Sequence, residues 1–382
     1  MLNDNKKSKL FLNSIILALY LSIPMFSKFV TWIFPISNVN VILISFLTIF
    51  FLFINKRCLK ISKLFLIINL VVLFMFLISF VLVSDRTYTI SYFLNYFLYC
   101  FLGMLFIQYD YDFKIILKMI NFVFILFTFV LYFKFFPIIR TSIYLSFTMD
   151  LSYSALIGYV ATVIYNLKYN KSIIFRIISY ICLIINSYYL IFLNDNRGSL
   201  IALFLFFAIF FIKNLKSLKY RIVGIFSINY ALNYIASMET DINWIVRLQF
   251  QMKINNISTD RDKLYERALE KIDDSIIVGN GIGEFENENE GVYTHNLFLQ
   301  IACENGIIFA TLISIFLFIC FCKTVFRDIR NEKDLFLLFS LIQFIPRLLL
   351  SSVQWVNTFF WIYLYLFLDE SNKKILNNSK SN

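Results

Sequence analysis

Twelve apolar runs follow one another along the chain, at roughly 10–26, 38–54, 61–83, 88–107, 113–136, 151–167, 172–193, 199–213, 220–238, 296–322, 334–351 and 355–369. Each is near the about twenty residues that an α-helix needs to cross a hydrocarbon layer about 30 Å thick. A backbone surrounded by lipid must satisfy its own hydrogen bonds, so runs of this length predict helices and leave no room for open sheet. Charge agrees: 15% of the 382 residues are charged, where a soluble domain carries roughly a quarter, and the charges gather between the runs. The expected fold is an all-α polytopic membrane protein with about twelve transmembrane helices.

Basic residues set the expected topology. Of the 35 Lys and Arg, 23 fall on one side of the alternating runs, among them Lys6, Lys7, Lys9, Lys56, Arg57, Lys323 and Arg327. The short connectors on the other side hold about one each, such as Lys28, Arg86 and Arg197. The excess belongs inside, which puts both termini in the cytoplasm and the long polar loop on the outer side of the membrane. The expected organisation is helices 1–9 over residues 1–238, an extracytoplasmic loop over 239–294, then three helices and a cytoplasmic tail over 295–382. The net charge of +11 comes from these inter-span clusters and not from a basic face, which argues against nucleic acid as a partner. Lys6, Lys7 and Lys9 before an apolar run imitate a secretory signal, but Ala18 to Lys28 offers no small-x-small cleavage site, so the run is expected to remain as the first helix.

His295 is the only histidine, no Cys-x-x-Cys occurs, and Cys320 and Cys322 lie in an apolar run as small apolar residues. Neither a metal centre nor a cofactor is expected. Within the loop, Asp260 to Asp274 places Leu264, Ala268, Leu269 and Ile272 at helical spacing on one face, with Thr259 and Asp262 spaced as a capping box. That predicts an amphipathic helix. Gly279, Gly281 and Gly283 then predict turns, and the acidic run Glu284 to Gly291 reads as irregular loop. No strand and crossover helix flank the glycines, which excludes a dinucleotide cradle.

Four residues are candidates for chemistry by type and position. Arg197 sits in the short outer connector Asn194–Ser199, where a hydrophilic turn alone could account for it. Arg261 opens the loop helix, where a cation is mildly unfavourable to the helix dipole and is ordinarily a solvated side chain. Arg347 follows Pro346 inside a span, a costly place for a charge unless it faces a cavity or snorkels to the interface. His295 begins the tenth span, where a lone histidine is commonly interfacial. Arginine suits a pyrophosphate, because its planar fork donates two parallel bonds and stays charged. Histidine suits a sugar hydroxyl, because it can take the proton as the hydroxyl attacks. The rival bases are Asp195, Asp241 and a carboxyl of Glu284 to Glu290 with a pKa raised by burial.

Ser258 to Ile315 resembles the loop and following helix of the bacterial O-antigen polymerase and ligase superfamily. The shared features are Arg261 before an amphipathic helix, Gly279 with Gly281 and Gly283, His295–Asn296, Gln300, and Glu304-Asn305-Gly306-Ile307-Ile308. Arg197-Gly198-Ser199 matches a second signature. The chain departs from the pattern at Asn196, where Ser or Thr is usual, and at Phe309, where glycine is usual. The resemblance implies a membrane glycosyltransferase that polymerises polyprenyl-pyrophosphate-linked oligosaccharide repeat units into a surface polysaccharide. It implies that Arg197 and Arg261 hold the pyrophosphate and that His295 is the general base, with Asn296 a supporting residue; Arg347, from its place inside a span, is a further pyrophosphate candidate. Membrane lipid, a chain-length regulator and other polysaccharide-assembly proteins are the candidate partners. Within the same family the alternative is a ligase that passes finished polymer to another acceptor. From a different class, a flippase for the same lipid-linked sugars would also have about twelve spans, but alternating access calls for a midplane site.

Overall fold

The structure is a computed structural model that describes residues 2–34, 38–56, 61–136, 145–193, 196–214, 261–329 and 331–380. Outside these lie the expected span 220–238, residues 239–260 of the loop with Asp241 and Thr259, and Asp195 among the rival bases. The regular structure of the described residues is helical, with no strand among them. In chain order the helices are α1 (Leu2–Leu21), α2 (Ile23–Ile33), α3 (Val39–Asn55), α4 (Lys63–Leu82), α5 (Thr87–Ile107), α6 (Phe113–Phe135), α7 (Leu145–Lys168), α8 (Ile173–Ile191) and α9 (Arg197–Asn214). They continue with α10 (Arg261–Asp274), α11 (Glu284–Glu288), α12 (Leu297–Phe326), α13 (Glu332–Leu350) and α14 (Thr358–Lys380).

Among the described residues five helices, α4, α5, α6, α8 and α12, are long and apolar enough to cross a membrane, and the bent pair α1–α2 makes a sixth if it is one span. The pair turns by 74° at Ser22. Pro24, in the first turn of α2, has no N–H to continue the α1 ladder, which accounts for the break. Large apolar side chains such as Phe74, Val81 and Phe318 are 63–83% exposed on these helices, the arrangement expected where lipid is the solvent.

The chain divides into two compact units, each discontinuous in sequence: residues 1–60 with 106–249, and residues 61–105 with 250–382. In the first unit, α6 and α7 meet where Gly158 lies against Phe124, so closely that a Cβ there would fall 2.2 Å from the ring. Neutral polar pairs tie its helices. Thr162 Oγ1 donates to Asn121 Oδ1 (2.9 Å), Asn121 Nδ2 donates to Ser179 Oγ (3.1 Å), Asn186 Nδ2 to Thr128 Oγ1 (2.8 Å) and Asn55 Nδ2 to Asn13 Oδ1 (2.9 Å).

In the second unit, Trp355 is the hub of an aromatic core, its ring centroid 5.0 Å from Phe76 and 5.9 Å from Trp361. Against this core, α12 is broken at Gly306, which leaves helical geometry at φ 81° and ψ 162°. The loop after α10 fills the break backbone to backbone: Asn280 N–H donates to Cys303 O (2.8 Å), Gly281 N–H to Glu304 O (3.0 Å) and Ile307 N–H to Ile276 O (2.8 Å). A Cβ on Gly306 would sit 2.0 Å from the Ile277 oxygen, and one on Gly279 would sit 2.5 Å from the Asn305 nitrogen. Only glycine permits both approaches. The same loop is pinned further on, where Ile282 N–H donates to Ser79 Oγ (2.9 Å) and Thr89 Oγ1 donates to Ile282 O (2.6 Å).

Candidate functional site

His295 and Arg261 come together at the C-terminal end of α13. Arg261, the first residue of α10, donates from a guanidinium Nη to the Leu350 carbonyl at 3.0 Å. Leu350 closes α13, so the cation meets a carbonyl left without an intrahelical partner at the negative end of a helix dipole. The cost of a cation at the start of α10 is thereby offset.

His295 stands between Thr294, which is buried, and Asn296, whose side chain caps α12 by accepting from Phe298 N–H (3.0 Å) and Leu299 N–H (3.4 Å). Its backbone is left-handed at φ 55°, a conformation that the turn enforces. Thr294 Oγ1 donates to Asn296 O at 2.9 Å, and the Thr294 N–H is itself fixed by Gln300 Oε1 at 3.1 Å. Burial and then the positive charge of Arg261 push the His295 pKa below its usual value, against an opposing pull from the Leu350 carbonyl. The imidazole is therefore neutral at pH 7, able to accept a proton. Its Nδ1 is buried with no hydrogen-bond partner, and the Tyr293 ring lies 4.1 Å away, centroid to centroid.

Behind this pair lies a buried network that includes two carboxyl groups. Gln300 Nε2 donates to Glu286 Oε1 (2.9 Å) and to Glu304 Oε1 (2.7 Å), bridging them. Tyr92 donates its hydroxyl to Glu286 Oε1 at 2.8 Å. Glu304 Oε2 accepts from Gln354 Nε2 and from Trp355 Nε1, both at 2.9 Å. Glu286 Oε2 is buried without a partner. No cation is bonded to either carboxyl among the described residues, and burial holds the Glu286 carboxyl above its usual pKa.

Of the residues singled out in the sequence, Arg261 and His295 thus share one locus, and Asn296 supports it as the cap of α12. Arg347 lies one turn before Leu350 on α13, half-buried, with Pro346 beside it inside the helix. Arg197 is the first residue of α9 in the first unit, and its side chain lies outside the described residues. Sequence reasoning missed Gln300, Glu304, Gln354, Trp355 and Tyr92. Gln300 and Glu304 stood in the quoted motif at i, i+4 spacing, which puts both on one helix face, and that was the available signal. The acidic run also differs from expectation. Glu284–Glu288 is a short helix, with Phe285 and Glu286 buried where irregular loop was expected. The turn at Gly283 (φ 91°) aims this segment inward.

No family model matches the chain. It is similar to the ComP-specific O-oligosaccharyltransferase of Acinetobacter baylyi, 24% identical over 195 residues, a match covering 47% of this chain and 34% of that protein. The chain thus matches about a third of the length of this curated relative.

Proposed function

We propose that this protein is a membrane glycosyltransferase that moves an oligosaccharide from a polyprenyl-pyrophosphate carrier to an acceptor hydroxyl on the outer side of the membrane. The observation that carries the reading is the meeting of an arginine and a histidine at the Leu350 carbonyl, where burial and the arginine charge favour the neutral imidazole. In this reading the acceptor hydroxyl attacks the anomeric carbon, its proton passes to His295, and the bond from that carbon to the pyrophosphate oxygen breaks. The pyrophosphate leaves with the bonding electrons and with negative charge that Arg261 faces. Arg347, one turn from Leu350, is proposed to add to that positive field, whereas the assignment of Arg197 to the pyrophosphate rests on its motif alone. Arginine supplies the charge that a metal ion would otherwise supply, so no step calls on a metal. Twelve spans, cytoplasmic termini and an outer loop at 239–294 belong to the same proposal.

For the acceptor, the motif resemblance supports the terminal sugar of another lipid-linked repeat unit, which makes the protein a polymerase. The similarity to an O-oligosaccharyltransferase favours a second reading, transfer of the glycan to a different acceptor. One experiment decides among them. Purified protein in nanodiscs is given a lipid-linked oligosaccharide alone, then with a candidate second acceptor, and products are resolved by length. A ladder without second acceptor supports polymerisation, and a single product only with it supports ligation. Movement of the lipid-linked sugar across a vesicle bilayer without transfer would favour the flippase and overturn both.

A further inference from the structure

Glu304 touches every segment that carries a part of the His295–Arg261 pair. On one side its Oε1 accepts from Gln300, whose Oε1 holds the N–H of Thr294, the residue before His295. On the other, its Oε2 accepts from Gln354 and Trp355, four and five residues beyond the Leu350 carbonyl that Arg261 binds. Its own backbone carbonyl accepts from Gly281, in the loop that follows α10. Glu304 is 1% exposed, so it cannot touch a substrate. We propose that Glu304, with Gln300, is a positioning residue: it locks the turn bearing His295 to the segment bearing the Leu350 carbonyl, and so sets His295 against Arg261. The idea rests on the proposed function for its purpose, but its geometry can be tested without any transfer reaction.

The two carboxyls give opposite expectations for the same substitution. Glu286 uses one oxygen, which accepts from Tyr92 and Gln300, and its other oxygen has no partner. Glu286→Gln can therefore keep every acceptor and place its NH2 at the unpartnered position. Glu304 uses both oxygens, accepting three N–H donors. Glu304→Gln must turn its NH2 toward at least one of them, a donor facing a donor, and the lock opens.

Because His295 is the only histidine, its imidazole can be titrated by NMR in the full chain in nanodiscs with a single set of signals. The charge acting on it is that of Arg261, with the Tyr293 ring against it and the carboxyls connected to it only through Gln300. The parent and Glu286→Gln should titrate below the usual histidine value of about 6.5. Glu304→Gln should move the titration up to that value. Trp355→Phe, which removes one donor and keeps the ring, should move it part of the way. If Glu304→Gln yields no folded protein, Trp355→Phe against Glu286→Gln decides the matter. Parent-like titration in Trp355→Phe, or in Glu304→Gln where it folds, overturns the proposal. In the transfer assay, Glu304→Gln should lower kcat by on the order of a hundredfold with KM little changed, the signature of misplaced groups. A parent protein that transfers nothing from any lipid-linked oligosaccharide would instead overturn the proposed function, and the titration would still decide the positioning role.

Discussion

Both compact units join helices through neutral polar pairs, but among the described residues only the second buries carboxyl groups. The first ties its helices with neutral pairs, Asn121 with Thr162 and Ser179, Asn186 with Thr128, Asn55 with Asn13. Such pairs between membrane helices contribute on the order of 0.6 kcal/mol each, so each one can be lost singly. The second unit buries three carboxyl groups among the described residues, Glu286, Glu304 and Asp334, and a buried carboxyl costs several kcal/mol unless its oxygens are satisfied. Glu304 meets that condition with three N–H donors, and they come from both sides of the His295–Arg261 pair. Carboxyls are thus placed where separate loops must be held in register, and neutral amides where helices need only stay in contact.

The largest expected effect removes the proposed base. His295→Ala should cut transfer by roughly 100- to 10,000-fold, the usual contribution of a general base. The protein should remain in the membrane at parent level, since the half-buried ring has no part in the carboxyl lock. Parent-rate transfer by His295→Gln, which keeps a hydrogen bond but cannot carry the proton, would show that His295 only positions substrate. The pH profile adds a second check. With the His295 pKa lowered, the base form persists as acid is added, so the acid limb of kcat/KM should fall below pH of about 6.5. A limb above that value contradicts the placement of Arg261 beside it.

Next in size is Arg261→Lys, expected to lower transfer on the order of a hundredfold, because a point charge loses the planar fork that can serve the Leu350 carbonyl and a phosphate oxygen together. It should leave the His295 titration depressed if the ammonium still reaches the site. Full product length at normal protein level would remove Arg261 from the pyrophosphate.

How far the sequence could be read follows from the same contrast. Apolar runs were legible because lipid makes hydrophobicity itself the signal, and α10 because Leu264, Ala268, Leu269 and Ile272 recur at helical spacing, although of that face Ala268 and Ile272 are buried and Leu269 is exposed. The break at Gly306 was hidden inside a continuous apolar run, since only the return of residues 276–281 reveals why the helix opens there. Glu286 was hidden in an acidic run that reads as solvated, and only the inward turn at Gly283 buries it. His295 and Arg261 could be named from residue type and motif. Their common partner could not, because a backbone carbonyl such as that of Leu350 has no sequence signature. The roles of Gln300 and Glu304 depend on contacts with Thr294, Gln354 and Trp355 that form only in the folded chain.

A smaller effect is expected in the first unit. Asn121→Ala removes the acceptor for Thr162 and the donor to Ser179, and should lower stability by about 1 kcal/mol, seen as a drop of a few degrees in Tm. Transfer and the His295 titration should be unchanged. A loss of activity without a loss of stability would mean that the neutral pairs do more than join helices, and the contrast between the units would fail.

The smallest effect is the most specific, because it depends on the pH rather than on the substitution alone. Burial raises the Glu286 pKa in the folded protein, so the folded state holds a proton there that the unfolded chain releases. The stability this gives is fully present below the ordinary carboxyl value and is lost as pH rises through the folded-state pKa. Glu286→Gln carries a permanently neutral group of the same shape, with its oxygen still free to accept from Tyr92 and Gln300. The parent and variant should therefore have nearly equal Tm in mild acid. As pH rises, the parent should lose stability while the variant loses less, so the difference between them widens in favour of glutamine. Thermal unfolding in nanodiscs across a pH series measures it directly. A parent that instead gains on the variant with rising pH would mean that Glu286 is ionised and held by a cation, contrary to a carboxyl kept protonated by burial.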